Sequence, residues 1–309
     1  MFAKFHKYNV HTMETRFKAQ IDELFNAHSM RTRTKTLQLE EMSLSDLDNL
    51  YVLQEPNKLS GPPSYVLVFD TETTGLIPKH LLPLQYKDLA LYPYITQLSA
   101  VLYDVNNNKV KQVFNTYVKI PDHVVIPEIV TQITGITKDK CNGGIAIKDA
   151  LNQFYQMYLK CDAIAAHNMW FDSKMIRVEC MRNKFPKMLG IFFKGTTVTT
   201  GTTVTTGTTV TTGTTVTTGT TGTTGTTGTN AEDKLISCTM MQGMKFCGLN
   251  RFVKLSVLYE MLFKEDINDY GVQLHNSLVD TIVCLRCYLK IFCEKEISNA
   301  EFAKHLLHK

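Results

Sequence analysis

Two acidic side chains follow directly after an apolar run near residue 65 of the 309-residue sequence. Tyr65–Phe69 consists of strand-forming residues, and Asp70 and Glu72 come next, two positions apart. Side chains at positions i and i+2 of a strand point to the same face, so this spacing presents two carboxylates together. Such a pair can chelate a hard divalent cation. On its own, the pattern is also common at strand ends without any catalytic role.

Further residues that could bind a metal ion or take part in catalysis lie downstream. They are Asp172 in HNMWFD and His275 and Asp280 in HNSLVD. Hydrolysis of a phosphodiester needs an activated water and neutralisation of charge on the phosphate, which two divalent ions about 4 Å apart can supply. Several carboxylates from different elements must then converge. Taken singly, Asp172 could be a helix N-terminal acid, His275 a surface or capping histidine, and Asp280 an ordinary helix acid.

The ordered motifs together resemble those of the DnaQ-like (DEDDh) 3′-5′ exonuclease superfamily, in particular the proofreading exonuclease domain of the DNA polymerase III epsilon type. VLVFDTETTG resembles the first motif, NMWFD the second and the His-x-x-x-x-Asp segment the third. Thr96–Val101 also resembles the second strand of the family. The resemblance covers about residues 64–294, apart from a Gly and Thr repeat that lies within this range. It implies an α/β, ribonuclease-H-like fold with a mixed central β-sheet flanked by helices.

The resemblance also implies roles for the five residues, with two divalent metal ions, Mg²⁺ or Mn²⁺, as cofactors. Asp70 is expected to bridge both ions. Glu72 and Asp280 are expected to complete the coordination of the ion that activates water. Asp172 is expected to act largely through water. His275 is expected to be the general base, because histidine ionises near neutral pH and a position in a loop at a helix start lets it move.

Residues beside these motifs are predicted to bind the substrate, namely Thr73, Thr74, Gly75 and Asn168. We expect the amides and hydroxyls of the two threonines to be exposed and to hold the terminal nucleotide, and Gly75 to let the chain turn. His167 is expected to be structural rather than a ligand.

The expected activity is metal-dependent removal of nucleoside monophosphates from the 3′ end of nucleic acid, single-stranded or frayed, with DNA favoured. Two alternatives are a 3′-5′ exoribonuclease that trims RNA and a non-catalytic module that binds nucleic acid or a polymerase. The 2′-hydroxyl contacts that separate DNA from RNA are not visible in a sequence. A polymerase or another replication protein is a possible partner.

The chain is predicted to contain one catalytic domain with additions. Residues 1–63 form an N-terminal helical extension of unknown role, ending in a Gly and Pro cluster, and residues 64–296 form the exonuclease domain. A low-complexity insertion of GTTVTT and GTT repeats interrupts it at 195–229. Because it holds only Gly, Thr and Val, we expect a surface insertion whose deletion spares catalysis. Residues 297–309 form a C-terminal tail.

Hydrophobic periodicity indicates alternating strands and helices in the catalytic domain, with an antiparallel hairpin. The predicted strands are Tyr65–Phe69, Ile95–Tyr103, Val113–Lys119 and Ala163–Ala166. The predicted helices are Ile145–Leu159, Trp170–Met181, Arg251–Phe263 and Ser277–Cys293.

Composition is that of a globular protein, with 44% hydrophobic and 20% charged residues. No apolar run approaches the ~20 residues that cross a bilayer, so we expect a soluble, intracellular protein without membrane association. The eight cysteines are predicted to be reduced, and the Cys284-x-x-Cys287 pair to be buried in the core rather than to bind zinc.

Basic residues concentrate in Ser173–Gly195, where six lysines and arginines accompany one glutamate. Two interpretations of this cluster are open, a surface that contacts phosphates and a solvated helix face.

Overall fold

The structure is a computed structural model that describes residues 62–78, 86–185, 188 and 234–307. These residues fall within one compact unit of the chain, Leu53–Lys309. The predicted N-terminal extension, apart from residues 62 and 63, and the predicted insertion at 195–229 lie outside the described residues.

Six strands form a single mixed sheet. They are β1 (Tyr65–Thr73), β2 (Ile95–Asp104), β3 (Lys109–Lys119), β4 (Ile145–Ala146), β5 (Ala163–Ala166) and β6 (Leu235–Cys238). Their order across the sheet is β4-β3-β2-β1-β5-β6. The β1–β2 and β2–β3 pairs are antiparallel, and the other three pairs are parallel. The predicted mixed α/β sheet with an antiparallel hairpin is therefore confirmed.

Helices cover both faces of this sheet. They are α1 (Glu128–Thr134), α2 (Lys138–Asn142), α3 (Ile147–Tyr158), α4 (Met169–Arg182), α5 (Thr239–Phe246), α6 (Leu255–Phe263), α7 (Ser277–Phe292) and α8 (Asn299–Leu307). Two short 3₁₀ helices are Tyr86–Leu91 and Ile267–Tyr270. Among the described helices, none has the length and apolar character that a membrane crossing requires.

The core lies between the sheet and the helices on each face. On one face, the rings of Phe69 on β1 and Phe154 on α3 lie 5.0 Å apart, and both side chains are fully buried. On the opposite face, α7 packs over β1 and β2. Because β1 is covered on both faces and paired on both edges, its backbone is held rigidly, as a strand that positions a site must be.

Several strands and helices begin or end at residues other than those predicted. β1 continues from Phe69 to Thr73 because its acidic end still pairs with β2, with Glu72 opposite Gln97. β3 begins at Lys109 because its exposed polar residues also pair with β2. The helix predicted from Arg251 begins at Leu255, since Lys254 is extended. Ile145 and Ala146 pair with β3 instead of starting α3.

Several short elements were not predicted, among them β6 and α8. The four-residue strand β6 pairs in parallel with β5 and closes that edge of the sheet. Helix α8 lies in the segment that the sequence analysis assigns to a C-terminal tail. Its Phe302 is fully buried and stacks on Tyr259 with ring centroids 5.5 Å apart, so the packed unit continues through this helix.

Candidate active site

The last residues of β1 bring two carboxylates to one face of the sheet. Asp70 and Glu72 are 6% and 2% exposed, and they lie opposite Ser99 and Gln97 of β2. Thr71, between them, points to the other face. The two acids are therefore buried on the face that α7 covers, as the strand pattern predicts.

The N-terminus of α7 is tied to this end of β1. The hydroxyl of Ser277, the first residue of the helix, donates to the backbone oxygen of Asp70 at 2.6 Å. The Asn276 side chain caps the helix by accepting from the amides of Leu278 and Val279. Because the helix starts here, Asp280 in its first turn faces the strand end, where it is 8% exposed.

His275 occupies the loop just before this helix. Its φ of 66° lies in the left-handed region, which is uncommon for a residue with a side chain. Its backbone N–H donates to Oδ1 of Asp280 at 3.3 Å. This hydrogen bond fixes the bend of the loop relative to the carboxylate.

Glu72, His275 and Asp280 form a group that could hold a metal ion. One ligand atom from each lies within 4.8 Å of the others, in a search of the described residues. Glu72 comes from β1, whereas His275 and Asp280 come from the loop and the first turn of α7, much later in the sequence. The donors are two carboxylates and one imidazole, and carboxylate oxygen suits hard cations such as Mg²⁺.

Asp172 reaches β1 from the face that carries Thr71. Its Oδ1 accepts hydrogen bonds from the Thr71 amide at 3.1 Å and from the Thr71 hydroxyl at 2.7 Å. The side chain is 1% exposed, in the first turn of α4. Asp70 and Asp172 are not members of the 4.8 Å group, but the hydrogen bonds from Thr71 connect Asp172 to the part of β1 that lies between Asp70 and Glu72.

A polar network behind the acidic group was missed by the sequence analysis. Gln97 Oε1 accepts from the Ser277 amide at 3.3 Å, and its Nε2 donates to Asn115 Oδ1 at 2.9 Å. The Ser99 hydroxyl donates to the same Asn115 oxygen at 2.9 Å. The only signal in the sequence is the alternation of Gln97 and Ser99 on the predicted strand Ile95–Tyr103.

The predicted substrate-binding threonines have other partners. Thr73 and Thr74 are 5% and 9% exposed rather than open to solvent. The Thr74 amide donates to the backbone oxygen of Tyr94 at 2.9 Å, and its hydroxyl accepts from the Tyr94 amide at 3.0 Å. The Thr73 hydroxyl donates to the backbone oxygen of Gly75 at 2.6 Å. These groups hold the chain after β1, so their expected exposure is corrected.

Gly75 does not adopt a positive φ, and a Cβ built there has no atom within 4 Å. The turn therefore does not require glycine, although the open space beside it leaves room for a ligand. Asn168 caps α4, since its Oδ1 accepts from the Phe171 amide at 3.3 Å. The side chain predicted to bind substrate thus has a structural function in this state.

His167 makes two structural hydrogen bonds, as expected for a residue that is not a ligand. Its Nδ1 lies 3.0 Å from the Thr239 hydroxyl, and its Nε2 lies 3.0 Å from the backbone oxygen of Val253. These contacts connect the end of β5 with α5 and with the segment before α6.

The eight cysteines are unpaired in the structure, and the predicted burial of Cys284 and Cys287 in the core is confirmed, at 1% and 0% exposure. Burial raises the pKa of the Cys284 thiol well above its ordinary value, while a hydrogen bond with Thr239 acts in the opposite direction. A thiol in this environment is a poor nucleophile.

Lys174 and Arg182 of the basic cluster fit neither of its two interpretations, whereas Lys184 is exposed. Lys174 is 5% exposed, and its Nζ lies 4.7 Å from the centre of the Trp170 ring. Arg182 pairs with Glu179 at 2.5 Å and donates to the backbone oxygens of Leu89, Tyr92 and Pro93. These two cations pack inside the domain.

Comparison with known families identifies the class of the domain. Residues 67–202 match the family model described as RNase_T, exonuclease. The matched segment contains Asp70, Glu72 and Asp172 and ends before His275 and Asp280. Residues 67–202 are therefore similar to an exonuclease family, in agreement with the resemblance of the motifs to the DnaQ-like superfamily, and the mixed sheet with helices on both faces is the fold class that this resemblance implies. The finer likeness to the epsilon type stays a prediction.

One relative is named ERI1 exoribonuclease 2, from Xenopus laevis. It is 33% identical over 60 residues, which is 19% of this chain and 9% of that protein. The match thus spans a small part of the relative.

Solved structures with a similar arrangement include a full-length 3′-exonuclease, with 15% identity, a TM-score of 0.48 and coverage of 76% of this chain and 62% of the other. Exonuclease I of E. coli in complex with a dA16 oligonucleotide has 13% identity and a TM-score of 0.48, and the match covers 78% of this chain and 42% of the other.

Proposed function

We propose that this chain is a metal-dependent 3′→5′ exonuclease that uses Asp70, Glu72, Asp172, His275 and Asp280. The observation that carries the proposal is the convergence of Glu72, His275 and Asp280 within 4.8 Å. A buried pair of carboxylates close to each other repels, so the arrangement costs stability unless a cation joins it. The exonuclease family of residues 67–202 supports the same reading.

The donor set fits divalent cations. Asp70, Glu72, Asp172 and Asp280 would together hold two divalent ions, and Mg²⁺ or Mn²⁺ is the proposed cofactor. When bound, such ions neutralise charge on the phosphate and on the leaving oxygen, and they make a water acidic enough to lose its proton. Carboxylate oxygens match the preference of Mg²⁺, and Mn²⁺ accepts the same ligands.

His275 is the proposed general base. The attacking water gives its proton to the imidazole, its oxygen bonds to the terminal phosphorus, and the bond from phosphorus to the 3′ oxygen of the preceding nucleotide breaks. The products are a nucleoside 5′-monophosphate and a strand shorter by one residue. The hydrogen bond from the His275 amide to Asp280 places the loop beside the carboxylates for this step.

The substrate is proposed to be a single-stranded or frayed 3′ end, because the terminal phosphodiester must enter a buried acidic group. DNA is the substrate that the sequence analysis favours. A second candidate is RNA, which the name of the Xenopus laevis relative favours. A polymerase or replication partner that residues 1–60 would bind is proposed only from the amphipathic pattern of their sequence, and co-purification with replication proteins would test it.

The test uses 5′-labelled DNA and RNA oligonucleotides of one sequence with Mg²⁺ or Mn²⁺. The expected result is a ladder that shortens one nucleotide at a time with the wild type and not with Asp70→Asn. The control is Asp149→Asn, which removes an exposed carboxylate of α3. Equal activity of wild type and Asp70→Asn would remove the proposal. Binding without cleavage would favour the non-catalytic module.

A further inference from the structure

The face of the sheet that carries the acids continues onto β3. Directly opposite residues of an antiparallel pair point to the same face. Asp70 is opposite Ser99, which is opposite Asn115, and Glu72 is opposite Gln97, which is opposite Tyr117. Two rows of side chains therefore run from the acidic group to β3.

Helix α7 covers the β1 and β2 positions of these rows but leaves β3 open. Ser99 and Gln97 are 0% and 1% exposed, whereas Asn115 is exposed. Val113, two residues before Asn115 on the same face, is 48% exposed. This open strip of β3 is continuous with the proposed active site.

The hydrogen bonds determine which end of the Asn115 amide faces outward. A backbone N–H can only donate, so the Ser277 amide requires the oxygen of Gln97 at its position. Gln97 Nε2 must then be the donor to Asn115, and Asn115 accepts with Oδ1 from both Gln97 and Ser99. The Asn115 Nδ2 group is left to point away from the network, with no hydrogen bond to any residue in the described ranges.

A fixed, exposed pair of N–H donors beside a nuclease site is suited to an oxygen acceptor. Asn115 lies two strand spacings from Asp70, or about 10 Å. This distance is too long for contact with the phosphate at the carboxylates, so the acceptor must belong to a preceding nucleotide. The exposed amine of Lys119, two positions beyond Tyr117, adds positive charge to the same strand.

We propose that Asn115 donates a hydrogen bond to a backbone oxygen of the substrate strand upstream of the terminal nucleotide, and that Gln97 orients it. This inference rests on the proposed exonuclease function. The oxygen belongs either to a phosphate or to a 2′-hydroxyl, which share the acceptor chemistry. The contact determines affinity for the strand and takes no part in bond cleavage.

The discriminating variant is Asn115→Asp. A carboxylate keeps an oxygen for Gln97 and Ser99 but replaces the donors with a negative charge. The matched control is Gln112→Glu on the same strand, an exposed residue on the opposite face that keeps its bond from Lys160. Thermal melting of both variants verifies that they fold.

Steady-state kinetics are measured on matched DNA and RNA oligonucleotides and on an aryl ester of a nucleoside 5′-phosphate, which has no upstream strand. Asn115→Asp should raise KM for oligonucleotides roughly tenfold with kcat unchanged, and leave the ester unaffected. A rise in KM for both the DNA and the RNA oligonucleotide assigns the contact to phosphate. A rise in KM for RNA alone assigns it to the 2′-hydroxyl. An unchanged KM, or an equal rise with the ester, would overturn the inference. An inactive wild type would instead remove the proposed function.

Discussion

Helix α7 takes part in two buried charged clusters of opposite character. Its first turn brings Asp280 to Glu72 and His275. Two turns later, Arg286 enters a cluster beneath α8, where its guanidinium lies 3.1 Å from Glu265. Arg286 is 2% exposed, about as deeply buried as Glu72.

The second cluster is balanced in charge and rich in hydrogen bonds. Glu265 accepts from the hydroxyls of Tyr259 and Tyr270 at 3.0 and 2.8 Å and from the Asn299 amide at 2.9 Å. Burial alone would raise the pKa of Glu265, but the hydrogen bonds from Tyr270, Asn299 and Tyr259 and the charge of Arg286 together lower it. The carboxylate is therefore held in its ionised form.

The contrast separates two uses of buried charge on one helix. Around Arg286, opposite charges meet, so the fold itself supplies the compensation and the cluster joins α6, α7 and α8. Around Asp280, acidic side chains meet each other, and the proposed cation would supply the compensation. The arrangement of charge, rather than the degree of burial, distinguishes the cluster that stabilises the fold from the cluster proposed to be catalytic.

Among the substitutions that test this contrast, Glu72→Gln should have the largest effect. Losing one carboxylate weakens the hold on the ion, so kcat should fall on the order of a thousandfold. Without metal, the variant should be as stable as the wild type or more so, because like-charge repulsion decreases. Exonuclease kinetics and urea denaturation in EDTA measure the two quantities. A marked loss of stability with activity retained would reverse the roles assigned to the two clusters.

Metal addition extends that comparison in the same pair of proteins. A ligand that binds the folded state raises its stability by mass action. Mg²⁺ or Mn²⁺ should raise the melting temperature of the wild type and have a smaller effect on Glu72→Gln. An equal shift in both proteins would place the ion elsewhere.

Arg286→Leu should produce the opposite result. The substitution leaves Glu265 without its cation and removes the guanidinium that lies 4.5 Å from the centre of the Phe302 ring. The free energy of unfolding should fall by about 3 kcal/mol, at the lower end for a broken buried pair because Glu265 is partly exposed. The kcat of the folded fraction should persist. Unchanged stability in urea denaturation would show that the cluster is not structural.

Lys174 offers a third case, a buried cation near an aromatic ring and another cation. Burial, followed by the charge of Arg177, lowers the pKa of Lys174 to about 8. Between about pH 8 and the ordinary lysine value, the unfolded chain binds more protons than the folded one. Stability from this group therefore rises with pH through that window, by at most about 3 kcal/mol.

Lys174→Met should remove this dependence, since it keeps an unbranched side chain without the charge. The variant should exceed the wild type in stability most at pH 7, and the excess should shrink toward pH 10. Urea denaturation of both proteins at pH 7, 8, 9 and 10 measures the difference. A difference that does not vary with pH would mean that the folded lysine titrates at its ordinary pKa.

Local sequence signals predict the elements that bear the acids but not all their boundaries. Apolar runs locate β2 and β5 to within a residue. They fail at the acidic end of β1 and the polar start of β3, where pairing with β2 continues through residues that no longer have a strand pattern. The strand β6 is too short to show periodicity and is defined by its pairing with β5.

In the candidate site, too, some features are predicted from the sequence and others depend on contacts between separate elements. The resemblance of the motifs implies that Asp70, Glu72, Asp172, His275 and Asp280 converge, and the structure brings ligand atoms of Glu72, His275 and Asp280 within 4.8 Å of one another. The sequence does not predict that Thr74 bonds to Tyr94 or that Gln97 connects Ser277 to Asn115, because those contacts depend on how separate elements cross. Side chains that position a site have no spacing rule of their own, so they become visible only in the fold.

Ser277→Ala should give the smallest effect and test how α7 holds the acidic cluster. The hydroxyl is the direct link from the first residue of α7 to the backbone of Asp70. Its removal should lower stability by about 1 kcal/mol and kcat roughly tenfold, and raise the Mg²⁺ concentration for half-maximal activity. Thr281→Val is the control, because the Thr281 hydroxyl donates only to the Ser277 backbone oxygen within the same helix. If both variants changed kcat and metal dependence equally, the link to Asp70 would have no positioning role, and the acidic cluster would owe its geometry to packing of the helix alone.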